Sequence, residues 1–196
     1  MISRRAAGLL ATILLLAAAS PAIAQKTVED LCRTHGVEGP ETIRRIEQAY
    51  VAAVQAGIPE EELLPFVEDI LIHKLECGQM VRILSVTTRL RSENLPYYTV
   101  FSKVREGVAK GAPPALVVEA AEAKYKTLSE SRDVLKSLGA LGYRVGDFQY
   151  ATVVVSSYIE KGYQPAEIVS QIRKKGVQGA GFAALSGVVE KPSKRK

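Results

Sequence analysis

The chain is poor in the side chains that most often do chemistry. It has only two cysteines and two histidines among 196 residues, little material for a metal centre or for a nucleophile with its base. No Cys-x-x-Cys-His haem signature occurs, and neither does a His-Glu-x-x-His motif, a Walker loop or a Gly-x-Ser-x-Gly elbow. Carboxylates such as Glu68, Asp69, Asp133 and Asp147 stand singly, as expected on solvated faces or at helix starts. With no clustered Cys, His or Ser constellation, neither a nucleophile nor a base can be named. An enzyme therefore ranks below a binding protein, and no cofactor is expected.

A second absence is charge of one sign. The formal net charge is +5, from 26 cations and 21 acids. Arg4 and Arg5 lie at the extreme N-terminus, however, and Lys191, Lys194, Arg195 and Lys196 at the extreme C-terminus. The stretch between is close to neutral, so the basic balance gives no case for nucleic-acid binding.

Long apolar runs are also lacking, except at the start. Met1-Ile2-Ser3-Arg4-Arg5 precedes an apolar stretch from Ala6 to Ala19, and small residues stand at Ala22 and Ala24. This is the pattern of a secretory signal peptide over residues 1–24, with cleavage expected after Ala24. The apolar stretch is short against the ~20 residues a membrane-spanning helix needs. Ser3-Arg4-Arg5 hints at twin-arginine export, but Ala7 and Gly8 stand where that signal carries bulky apolar residues, so the general secretory route fits better. No cysteine follows the cleavage site, so no lipid anchor is indicated. The expectation is an exported protein, periplasmic first and extracellular second, with one domain over residues 25–190.

What the sequence does have is a unit that occurs three times. Each copy turns on a glycine followed closely by proline: Gly57 with Pro59, Gly111 with Pro113, and Gly162 with Pro165. Upstream, Ile43, Ile46, Glu47, Tyr50 and Val54 correspond to Tyr97, Val100, Phe101, Val104 and Val108, and to Phe148, Ala151, Thr152, Val155 and Ile159. This spacing puts each set on one helical face, with Glu47 the polar exception in its copy. Val153-Val154-Val155 alone would suit a strand, but alignment with the amphipathic segment 100–107 makes it a helix. Downstream, Leu63, Leu64 and Val67 match Val117, Val118 and Ala121, and then Ile168, Val169 and Ile172.

Glycine allows the left-handed turn that ends a helix, and proline suits the start of the next. Lys110, Lys161, Lys174 and Lys175 lie before a glycine and Glu60-Glu61-Glu62 after a proline, as the helix dipole favours. The reading is therefore all-α: duplicated helix-turn-helix hairpins at about 41–76, 95–129 and 146–175, stacked as a short solenoid or compact bundle. Met80–Leu90 and Ser131–Leu138 are predicted as shorter helices between units. Gly179–Val189 is predicted as a closing helix.

Cys32 lies in a short helix capped by Thr27 and Asp30, and Cys77 is expected to end the helix that begins at Pro59. In an exported chain an even pair points to a disulfide between Cys32 and Cys77. The competing reading is zinc: His35 follows Cys32, and His73 and Cys77 stand at i and i+4, so the four together make a tetrahedral ligand set. Gly179-Ala180-Gly181-Phe182-Ala183-Ala184 has the form of a dinucleotide fingerprint but lacks the strand–turn–helix setting, so close helix packing is the better use. Tyr97, Tyr98, Phe101, Phe148, Tyr150 and Tyr158 have the types to line a ligand groove, but their helical spacing favours core packing.

Residues 191–196 read as a disordered basic tail, whose Lys191, Lys194, Arg195 and Lys196 suit an anionic membrane surface. The functional expectation is a non-enzymatic module of the cell envelope that binds another protein. Its alternative is a carrier of a small apolar ligand or lipid.

Overall fold

The computed structural model describes residues 26–179 and 181–192. The expected signal peptide, and Lys194, Arg195 and Lys196 of the tail, lie outside these residues. The described chain is all-α. Its helices are α1 (Val28–Thr34), α2 (Pro40–Gln55), α3 (Glu60–Ile72), α4 (Cys77–Ser92), α5 (Tyr98–Ala109), α6 (Pro114–Ala140), α7 (Phe148–Glu160) and α8 (Pro165–Lys175). Two strands, β1 (Arg144–Val145) and β2 (Val189–Glu190), pair antiparallel, with Arg144 opposite Glu190 and Val145 opposite Val189. Among the described residues no helix is long and apolar enough to cross a membrane.

The three hinges share one backbone solution. The glycine follows the C-cap with positive φ: 94° at Gly57, 66° at Gly111 and 95° at Gly162. Its N–H and the next one then fold back onto the helix they leave. Gly57 donates to Val54 O at 2.8 Å and Ile58 to Ala53 O at 3.2 Å. Gly111 and Ala112 donate to Val108 O and Gly107 O, both at 2.9 Å, while Gly162 and Tyr163 donate to Ile159 O at 2.9 Å and Tyr158 O at 3.1 Å. This paired closure is a Schellman motif, which satisfies two carbonyls that a helix end otherwise leaves orphaned. α4 ends the same way on Asn94 at φ 54°, a residue whose short polar side chain tolerates the left-handed region. The next helices start at Glu60, Pro114 and Pro165. Pro165 is thus in a first turn, whereas Pro59 and Pro113 sit one position earlier, at the N-cap, with extended ψ of 136° and 138°.

Two segments depart from the sequence expectation. Ser131–Leu138 is not a separate helix but the end of the 27-residue α6. The stretch of the first copy that corresponds to the whole of α6 is divided between α3 and α4, and the buried positions explain why. In α6, Val117, Val118, Ala121, Leu128, Ser131, Val134, Leu135 and Leu138 keep to a helical repeat. In the first copy Leu71 and Leu75 are buried, and the next buried residue is Met80, then Ile83 and Leu84. Leu75 to Met80 is not a helical spacing, so the chain must reset its phase. It does so with Lys74 at φ 53° and a reciprocal capping box between Glu76 and Gln79 that restarts the helix.

The second departure is the C-terminal segment. Instead of a closing α-helix, Phe182–Gly187 makes a 3-10 turn that leads into β2. Glycines at 179, 181 and 187 make a regular helix costly there, yet Phe182 and Leu185 are still fully buried.

The helices stack in chain order. α2 packs on α4, α4 on α6 and α6 on α8, while α1 packs on α3 and α3 on α5. One hydrophobic core runs from Val28 to Leu128 and a second from Val134 to Val189, with Phe148 touching both. The single helix α6 contributes its first half to one core and its second half to the other. Phe66 of α3 and Phe101 of α5 stack with ring centroids 3.9 Å apart, joining the first unit to the second. Lys124 of α6 reaches Glu160 of α7 at 2.7 Å, joining the second to the third.

Candidate functional site

A concavity of about 730 Å³ lies where the start of α1 meets α2 and α3. Its floor is apolar: Val28, Tyr50, Val51, Leu64 and Pro65. Val51 is 48% exposed although large and apolar. It stands beside the α2 stripe, so the core does not cover it. Pro65 lies inside α3 and has no N–H to close on the Glu61 carbonyl. The groove therefore has unpartnered apolar surface and, in one wall, a helical turn with a missing backbone donor.

Its rim is acidic. Glu47, Glu60 and Glu61 line the groove, and among the described residues none lies within ion-pair distance of a cation. The groove's own cation, Lys26, is engaged with Glu68 at 2.6 Å. That bond is the chief reason the Glu68 carboxyl titrates below its ordinary range. The negative field reaches inward. Burial first, and then Glu60, pushes the Tyr50 phenol up. Burial first, and then Glu47, raises the Cys32 thiol to about 11.

A second concavity of about 380 Å³ lies between α4 and α6. Its charges are spent on each other: Arg82 pairs with Glu122 at 2.7 Å. Arg89 sits 4.4 Å from the centre of the Tyr125 ring and pairs with Glu93 at 3.1 Å. Burial pushes the Glu93 carboxyl up, but donors from Tyr125, Arg89 and Arg132 outweigh it and leave it below its ordinary range. That cluster ties the end of α4 to α6 and needs no ligand to satisfy it.

The structure separates the cysteine and histidine positions that the sequence set side by side. Cys77 does not end the helix begun at Pro59; it opens α4. His73 caps α3 at its C-terminal end, so His73 and Cys77 do not share a helical face. Cys32 is fully buried in α1, and His35 caps the same helix. The His35 ring lies toward Glu68, its Nε2 3.9 Å from the carboxylate. Among the described residues no three His, Cys, Asp or Glu side chains are grouped to hold a metal ion, so Cys32, His35, His73 and Cys77 do not form the tetrahedral set.

The expected Cys32–Cys77 bond is not formed in this structure, where both thiols are free. The Cys77 thiol instead donates to the Thr42 carbonyl of α2 at 3.6 Å. Both cysteines belong to the first hydrophobic core, Cys32 buried within it and Cys77 partly buried against it.

Of the six aromatics considered for a ligand groove, none lines this one. Phe101 and Tyr158 are buried, Tyr97 donates its hydroxyl to Glu62 at 2.9 Å, and Phe148 packs between the cores. Tyr98 and Tyr150 are exposed elsewhere. The groove uses Tyr50, which the repeat marked only as a stripe residue, and Val51 and Pro65, which it did not mark. Lys191 is not a free tail residue either. It runs so close over Gly176 that a Cβ there would lie 2.7 Å from its Cε. No known protein family matches the chain, and neither a curated protein nor a solved structure matches it.

Proposed function

We propose that this chain is an exported, non-enzymatic helical-repeat protein that binds another protein through the groove of its first hairpin. The observation that carries the reading is the apolar floor of a groove of about 730 Å³, where Val51 and Pro65 are exposed and Leu64 is half-buried. Stacked helical repeats use such surfaces for macromolecular partners, and an exposed apolar patch rimmed by polar groups is a common mark of an interaction site. An apolar carrier is the weaker reading, because a small ligand is usually enclosed over most of its surface and this rim holds three carboxylates. Export rests on the pattern of residues 1–24. The basic residues Lys194, Arg195 and Lys196 would add contact with anionic lipid at the envelope.

On this reading a thiol–disulfide oxidant of the exporting compartment would join Cys32 to Cys77 and fasten α1 to α4. Intact mass checks this: the bridged product is lighter by two hydrogens than the dithiol, whereas an unchanged mass with two alkylatable thiols contradicts it. The binding claim is tested with a photo-crosslinking residue at Val51 and, as a control, at exposed Tyr150. A protein adduct at position 51 and none at 150 supports the groove. Equal labelling, or none, contradicts it.

A further inference from the structure

Resting on that reading, we propose that the groove receives a cationic amphipathic segment of a partner protein, its Lys or Arg side chains meeting Glu47, Glu60 and Glu61 and its apolar side chains meeting Val51, Leu64 and Pro65.

The inference starts from how the first unit departs from the second. Glu47 occupies the stripe position filled by Phe101 in the second copy. Phe101 is buried there because α3 of the preceding unit brings Phe66 against it. Among the described residues no hairpin precedes the first unit, and α1 packs in that place with Val28, Leu31 and Cys32 in the core. α1 has 7 residues where α3 has 13, so it covers the face incompletely. Its short reach is encoded: Thr27 accepts from Asp30 N at 3.1 Å and Asp30 accepts from Thr27 N at 3.1 Å, a capping box that starts the helix at Val28 and not earlier. The groove is the part of the stacking face that α1 leaves open.

The chemistry of that face selects its occupant. Helix-dipole complementarity accounts for Glu60 and Glu61 in the first turn of α3. It does not account for Glu47, which stands in the middle of α2 on the core-facing stripe. A half-buried carboxylate without a cation beside it raises the cost of leaving the site unoccupied and lowers the cost of bringing a Lys or Arg to it. The apolar floor supplies the area, and the three carboxylates supply orientation and selection against acidic partners. A purely apolar ligand leaves the rim unanswered, and an anionic lipid is repelled by it.

The test uses the exported protein and two synthetic helical peptides, one of leucine and lysine at amphipathic spacing and one with every lysine changed to glutamate. The leucine–lysine peptide is expected to bind about tenfold or more tighter, the ~1.4 kcal/mol of one decade. Glu47→Lys should remove that preference, and Val51→Asp should weaken both peptides. Glu167→Lys on α8 should change neither. Equal binding of the two peptides overturns the charge claim while leaving a protein-binding groove in place. Failure of both peptides, together with no adduct at position 51, overturns both claims and leaves the acidic face as a polar cap on the stack. Concentration-dependent dimerisation abolished by Val51→Asp, or binding to phosphatidylglycerol vesicles abolished by the same change, assigns the face to a second copy or to lipid and overturns the proposal.

Discussion

The first and second hairpin units share a hinge and a stripe but treat the same stripe position in opposite ways. In the second, Phe101 is buried against Phe66 of its neighbour. In the first, Glu47 faces a groove that short α1 does not close. A duplicated backbone thus carries a sealed interface in one copy and an open one in the other, and the difference lies in one side chain and in the length of the helix stacked on it.

The largest expected effect follows from that pair. Phe101→Ala should cost about 3–5 kcal/mol, the range for truncating a buried aromatic, whereas Glu47→Ala should leave stability within about 0.5 kcal/mol, as for a surface change. Urea midpoints measure both. A large loss at Glu47 would mean that the groove is part of the core.

The hinges allow a cleaner comparison, because their backbones match while their surroundings do not. Gly111→Val should cost about 1 kcal/mol or more through left-handed strain alone, since a Cβ there meets nothing within 4 Å. Gly57→Val should cost more, because a Cβ there lies 3.3 Å from the Arg91 guanidinium, which also donates to the Gly57 carbonyl at 3.0 Å. Equal losses would show that the Arg91 contact is slack. Pro113→Ala should move the urea midpoint least of these, by a few tenths of a kcal/mol, since an N-cap proline contributes preorganisation only.

The two thiols separate by environment. With the pair reduced, Cys77 should alkylate at least tenfold faster than Cys32 at pH 8, because burial holds the Cys32 thiol protonated up to about 11. The sign for stability follows. The unfolded thiol titrates near 9.0 and the folded one higher, so its contribution is full below pH 9 and is lost as pH rises toward 11. Cys32→Ala should flatten that alkaline decline, and an unchanged profile would assign it to other groups.

The hinges were legible in the sequence because their chemistry is local. A glycine past a helix end and a proline near the next start carry their reason within four residues. The stripes were legible for the same reason, and none of the nine downstream positions from Leu63 to Ile172 is exposed. The unbroken α6 was less visible. The Leu75-to-Met80 phase slip, and its absence between Leu128 and Leu135, was the available signal, but it reads clearly only once buried positions are known.

The groove lay furthest from view. Glu47 appeared as a flaw in a stripe, and nothing local says that Val51 stays exposed, because that depends on how far α1 extends along α2 and α3. The cysteine–histidine pairs misled for a related reason: adjacency in sequence at 73–77 spans a helix break.

Amide chemical-shift mapping of the protein against the leucine–lysine peptide tests the open-versus-sealed contrast most directly. The account predicts changes concentrated at residues 26–28, 47–51 and 60–65, with α5 and α7 undisturbed. Changes centred on the α4–α6 concavity around Arg89 and Tyr125, or spread evenly over all three hairpins, would contradict it.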